Sequence, residues 1–160
     1  MRKIIRDRQV VDDGWVYLAA GEPVPATGDV VVPLATLQAD SAALLARGGR
    51  LGVRIEAGEG IAGLVPYLAK LALVCVDFPT FYDGRGLSYA RELRERHGYT
   101  GEIRAVGDVQ RDQLFGMWRC GINAFDLKEG KSLDDALLAW NDFSTGYQAD
   151  VHEPRPVYRR

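Results

Sequence analysis

The chain has 160 residues, a formal net charge of −2 and 47% hydrophobic side chains, which fits one globular domain with a real core. Slight acidity excludes a general nucleic-acid binder, which would be strongly basic. No apolar run approaches the roughly 18–20 residues of a membrane span, and the start, MRKIIRDRQVVDDGW, is charged throughout with no signal-peptide core, so a cytoplasmic protein with no membrane partner is expected.

The first elements read as a β-hairpin over residues 3–20, IIRDRQVV and WVYLAA, turning at Asp13-Gly14, a good hairpin dipeptide. GEPVPATG, residues 21–28, is a loop. The chain then alternates. DVVVPL (29–34) is a short strand, and TLQADSAALLAR (36–47) has helical spacing closed by Gly48-Gly49. LGVRIEA (51–57) is a second strand, and residues 59–71 have a helical pattern disturbed by Pro66. ALVCVDF (72–78) is continuously apolar, as a strand covered on both faces should be. GLSYARELRERH (86–97) is an amphipathic helix ended by Gly98. GEIRAVGD (101–108) is a strand, VQRDQLFGMWRC (109–120) a helix, NAFDL (123–127) a strand and SLDDALLAWNDFS (132–144) a helix.

Five βα units in succession predict an α/β fold with a mainly parallel sheet, because parallel neighbours need a crossover. A doubly wound sheet and a partial β/α barrel, the latter completed by a partner subunit as in a homodimer, both satisfy the spacing. Five units fall short of a closed eight-unit barrel, which favours the open sheet. One domain is expected over residues 1–146, followed by a docking or flexible tail, 147–160, with Tyr147, Val151, Val157 and Tyr158 as anchors on its own domain or on a partner.

In either architecture ligands sit at the carboxyl ends of the strands. The residues there are Glu56, Asp77 through Ser88, Asp108 and Lys128. DFPTFYDGRGLS, residues 77–88, is the richest stretch. Gly84 and Gly86 let backbone approach a ligand, and helix-start amides favour negative charge. Arg85 offers a bidentate donor to a carboxylate, phosphate or sulfur oxyanion, unless Asp83 simply caps the turn and pairs with it. Ser88 can cap the helix or donate a hydroxyl. Asp77 and Asp108 are candidate catalytic carboxylates; Asp108 also fits an N-cap, and Lys128 fits a second cation for the ligand. Arg104, inside an apolar strand, must sit at a sheet edge or face an acid. Trp118 and Phe115 read as core.

The stretch does not match GxxxxGK[ST] or GxGxxG, so neither a P-loop nor an ordinary nicotinamide fingerprint is present. Cys75 and Cys120 read as small buried hydrophobes. Without CxxC, and with only His97 and His152 besides, they predict neither an iron–sulfur cluster nor a metal site. A flavin held without a short signature stays open.

The segment DFPTFYDGRGLSYARELRERHGYTGEIRAVGDVQRDQLFGMWRCGINAFDL, residues 77–127, with its DGRG, GDV, DQL and RxGxxAF motifs, resembles a bacterial family, domain of unknown function 934. The ending GYQ…EPRPVYRR is also similar to that family's. Members carry the label "probable oxidoreductase involved in sulfite reduction", so the resemblance implies a place beside assimilatory sulfite reductase. Three functions are then in play: an accessory protein that binds a small anion, sulfite reductase, or both; an enzyme acting on a small anion; and a flavin-dependent electron carrier.

Overall fold

The computed structural model describes residues 1–142, 146 and 148–160. Tyr147 and residues 143–144, the end of the last expected helix, lie outside the described residues. The strands are β1 (Lys3–Arg6), β2 (Gln9–Asp12), β3 (Val16–Tyr17), β4 (Val30–Pro33), β5 (Leu51–Ile55), β6 (Leu73–Phe78), β7 (Glu102–Gly107) and β8 (Ala124–Phe125). The helices are α1 (Leu34–Ala39), α2 (Ser41–Ala46), α3 (Arg85–Glu95), α4 (Leu114–Arg119) and α5 (Leu133–Leu137). Where Pro66 disturbs the pattern after β5, the chain forms a 3-10 helix, Val65–Lys70, instead of an α-helix.

All eight strands join one sheet in the order β2-β1-β8-β7-β6-β5-β4-β3. β3 to β8 run parallel in chain order, and β1 is antiparallel to both β2 and β8. The order never reverses, so right-handed crossovers keep every helix on one face. That is the partial barrel rather than the doubly wound sheet. Five βα units alone looked too few for a barrel; the hairpin and β3 bring the count to eight.

The curl follows from chain length. β2 and β3 are opposite edges of the sheet, yet only residues 13–15 join them. Four Cα steps span at most about 15 Å, whereas eight flat strands would be about 33 Å across. The sheet must therefore bend into a half-barrel. Arg104 on β7 confirms the bend, because its guanidinium reaches the hydroxyl of Tyr17 on β3, four strands away.

The two faces divide the side chains by alternation. Val74, Val76 and Phe78 of β6 point outward into the main core, under Ala90 and Leu93 of α3. Leu73 and Cys75 point inward, with Trp15, Val31 and Val106. Burial pushes the Cys75 thiol up to about 12, so it stays an uncharged small hydrophobe, as its neighbours in sequence suggested. Cys120 is only partly buried. Trp118 packs partly buried against the core.

The inward face also carries charge. Arg104 is fully buried and bonds Asp13 Oδ1 at 2.9 Å and Glu102 Oε1 at 2.6 Å. Tyr17 donates its hydroxyl to Asp13 Oδ2 at 2.9 Å. Of the two settings an arginine inside an apolar strand allows, the acid-paired one is observed.

An N-terminal hairpin exists, but it is not the pairing of IIRDRQVV with WVYLAA: β1 and β2 both come from the first segment, and β3, from the second, pairs with β4 at the opposite edge. β1 and β2 turn at Asp7 and Arg8, both at positive φ (49° and 63°), the signature of a two-residue type I′ loop. Asp13-Gly14 instead begins the passage to β3, where the Asp13 carboxylate is drawn into the barrel by Arg104. A buried counter-charge outweighed a local turn preference.

The tail folds back on α4. Asp150 pairs with Arg119 at 2.9 Å, and Val151 N–H donates to the Arg119 carbonyl. His152 stacks on Trp118, ring centroids 3.9 Å apart. Among the described residues, no helix is long and apolar enough to cross a membrane.

A candidate functional site at the mouth of the half-barrel

At the carboxyl ends of the parallel strands the half-barrel opens into a cavity of about 310 Å³. Its charged walls are Arg2, Arg54, Asp126, Lys128 and Glu129, and Tyr17, Val106, Gly107 and Leu127 complete the lining. Strand alternation puts Arg54 here, on the inward face of β5. Lys128 arrives because β8 ends at Phe125, and the Lys128 N–H donates to the Val109 carbonyl. Arg2 arrives because β1 runs antiparallel to β8, so its start meets the end of β8.

Each cation already has an acid beside it. Arg2 forms an ion pair with Asp126 through two guanidinium nitrogens. Arg54 Nη2 donates to Asp77 Oδ1 at 2.7 Å. Lys128 Nζ lies 3.4 Å from Asp108 Oδ1. These pairs are not saturated. A guanidinium has five N–H donors and an ammonium three, and Arg54 uses one on Asp77 among the described residues. Arg54 is 45% exposed and Lys128 54% exposed, so both can reach a ligand in the cavity. Tyr17 forms the floor. Burial pushes its phenol well above the ordinary value, against the pull of Arg104, so it stays protonated.

The sequence candidates separate into two neighbourhoods. Lys128 lines the mouth, while Asp77 and Asp108 stand behind it as the partners of Arg54 and Lys128. Asp108 is not the helix cap; that position is Gln110, in a capping box with Gln113. Its carboxylate accepts from Gln110 Nε2 at 3.0 Å and from Phe81 N–H at 3.2 Å. Those bonds, with Lys128 nearby, hold it below the usual carboxylate range.

Asp83, Gly84, Arg85, Gly86 and Ser88 lie at the start of α3, outside the mouth lining. Arg85 is held by Asp83 through Nε at 3.0 Å and Nη2 at 2.6 Å. That bidentate bond lowers the Asp83 carboxyl and raises the Arg85 guanidinium. Gly84 occupies the N-cap with no side-chain cap bond, and Ser88 sits exposed a turn inside the helix, so it does not cap. Gly86 is buried in α3. A Cβ there would come within 2.6 Å of Val76 Cγ1 and 2.7 Å of Phe78 Cζ. Its role is close helix–sheet packing, not approach to a ligand.

Sequence reasoning missed Arg2, Tyr17, Arg54 and Asp126. Arg54 carried the same signal as Arg104, a lone arginine in an apolar strand. Arg2 carried none, since only the β1–β8 register brings it to the mouth. Among the described residues, no three His, Cys, Asp or Glu side chains gather as a metal site.

Residues 52–158 match the model of a family described as "Bacterial protein of unknown function (DUF934)". No curated protein matches the chain.

Proposed function

The chain belongs to the DUF934 family, and from that membership and its half-barrel mouth we propose an accessory protein of assimilatory sulfite and sulfate reduction that binds a small oxyanion. The pathway rests on the resemblance carried by residues 77–127. The binding role rests on one observation: Arg54 and Lys128, half exposed, with donors to spare, face one cavity at the end where β/α barrels place their ligands. Sulfite, with its oxygens clustered on sulfur, suits a guanidinium and an ammonium lining one cavity.

Binding is favoured over proton transfer because Asp77 is bonded to Arg54 and Asp108 is held ionised by its donors. Held below its usual range, the Asp108 carboxylate is a weak base near neutrality. The flavin reading is checked by the visible spectrum of freshly purified protein: the accessory role predicts no flavin absorbance. In the native host, Arg54→Ala together with Lys128→Ala is expected to slow growth on sulfate and leave growth on cysteine unchanged. Equal growth of variant and wild type on sulfate would remove the pathway assignment.

A further inference from the structure

A second cleft, of about 220 Å³, lies on the outside of the half-barrel between the start of α3 and α4. Its apolar lining includes Phe78, Leu87 and Met117, with Phe81 and Tyr82 at the rim. Tyr82 is 92% exposed and meets Phe81 edge to face, centroids 5.3 Å apart. An aromatic ring held in water beside an apolar slot is a poor arrangement for a surface that stays bare.

Gly116 lines the same cleft from within α4. A glycine inside a helix costs about 1 kcal/mol relative to alanine. Nothing in the fold requires it: its φ is not positive, and a Cβ there would meet no atom within 4 Å. The missing side chain leaves room in the cleft. Asp112, at the edge, is exposed and has no hydrogen-bond or ion-pair partner among the described residues. The cleft is thus shaped for an apolar ring followed by a cation.

The chain displays such a pair. Tyr158 is 77% exposed, and the Arg159 guanidinium lies 5.7 Å from its ring centroid. Both belong to a 3-10 turn, Val157–Arg159. The tail that carries them is fixed by Asp150–Arg119 and by His152 on Trp118. Arg159 forms no ion pair among the described residues. A pre-ordered aromatic–arginine pair loses little entropy on docking, and these residue types dominate interface anchors.

We infer that the cleft between α3 and α4 receives Tyr158 and Arg159 of a second copy of this chain, with Arg159 paired to Asp112. Two copies exchanging the contact reciprocally form a closed pair. This inference does not depend on the anion site. Sedimentation equilibrium tests it. The wild type is expected to form a concentration-dependent dimer. Tyr158→Ala, Asp112→Arg and Gly116→Leu should each raise the dimer dissociation constant at least about tenfold. Pairing Asp112→Arg with Arg159→Asp should restore it. Gly116→Leu fills the cleft from a position where the helix itself gains, so folding is not at stake. A monomer throughout, a dimer indifferent to these substitutions, or a charge swap that fails to restore association would overturn the inference.

Discussion

Two arginines in neighbouring settings show how burial decides what a charge does. Arg104 and Arg54 both interrupt apolar strands and both point to the inner face. Arg104 lies under the passage from β2 to β3 and is 1% exposed, whereas Arg54 opens to the mouth. Removing Arg104 leaves the buried Asp13 without its arginine and Glu102 with Arg6, 3.8 Å away. Breaking a buried pair in this way costs about 3–5 kcal/mol, while an exposed pair contributes about 0–1 kcal/mol. Urea unfolding should therefore show a large loss of stability for Arg104→Ala and a small one for Arg54→Ala. Similar losses in the two variants would contradict the assignment of Arg104 as the interior's organising charge.

Most elements were legible because their cause is local. The apolar run of β6, the glycine stops after α2 and α3, and the helical spacing of residues 86–97 all reflect backbone preference and alternation. What was not legible is decided by distant residues. The expected pairing across Asp13-Gly14 does not form, because WVYLAA joins β4 and Asp13 answers Arg104, 91 positions away. Ser88 and Asp108 looked like caps, but Gly84 and Gln110 hold those positions. Glycines divide in the same way. Gly86 lets α3 rest on β6, so Gly86→Ala forces overpacking and should cost about 1–3 kcal/mol. Gly116 has open space, so Gly116→Ala should stabilise by about 0.5–1 kcal/mol through helix propensity. Thermal melts of both variants check the opposite signs; a destabilised Gly116→Ala would show that the glycine is structural after all.

At the scale of the molecule, the spacing of five βα units was enough for an α/β fold but not for its architecture. Strand order was the missing information, and it came from three short N-terminal strands, of which β1 pairs with β8 far along the chain while β2 and β3 form the two edges. Their consequence is functional. By bringing the edges together, they make an inward face and a mouth, and they carry Arg2 and Tyr17 to it. The DGRG stretch drew attention because its residues are adjacent in sequence, yet Arg85 and Asp83 chiefly satisfy each other. The mouth is assembled instead from the residue before β1, from β3, β5 and β7, and from the segment after β8, and no local motif spells it out.

That contrast sets the decisive measurement: isothermal titration of sulfite into the wild type and into Arg54→Ala, Lys128→Ala and Arg85→Ala variants. The half-barrel mouth predicts saturable binding, weakened at least about tenfold by either mouth substitution and unchanged by Arg85→Ala. Heat absent from the wild type, or binding abolished by Arg85→Ala and retained without Arg54 and Lys128, would contradict it.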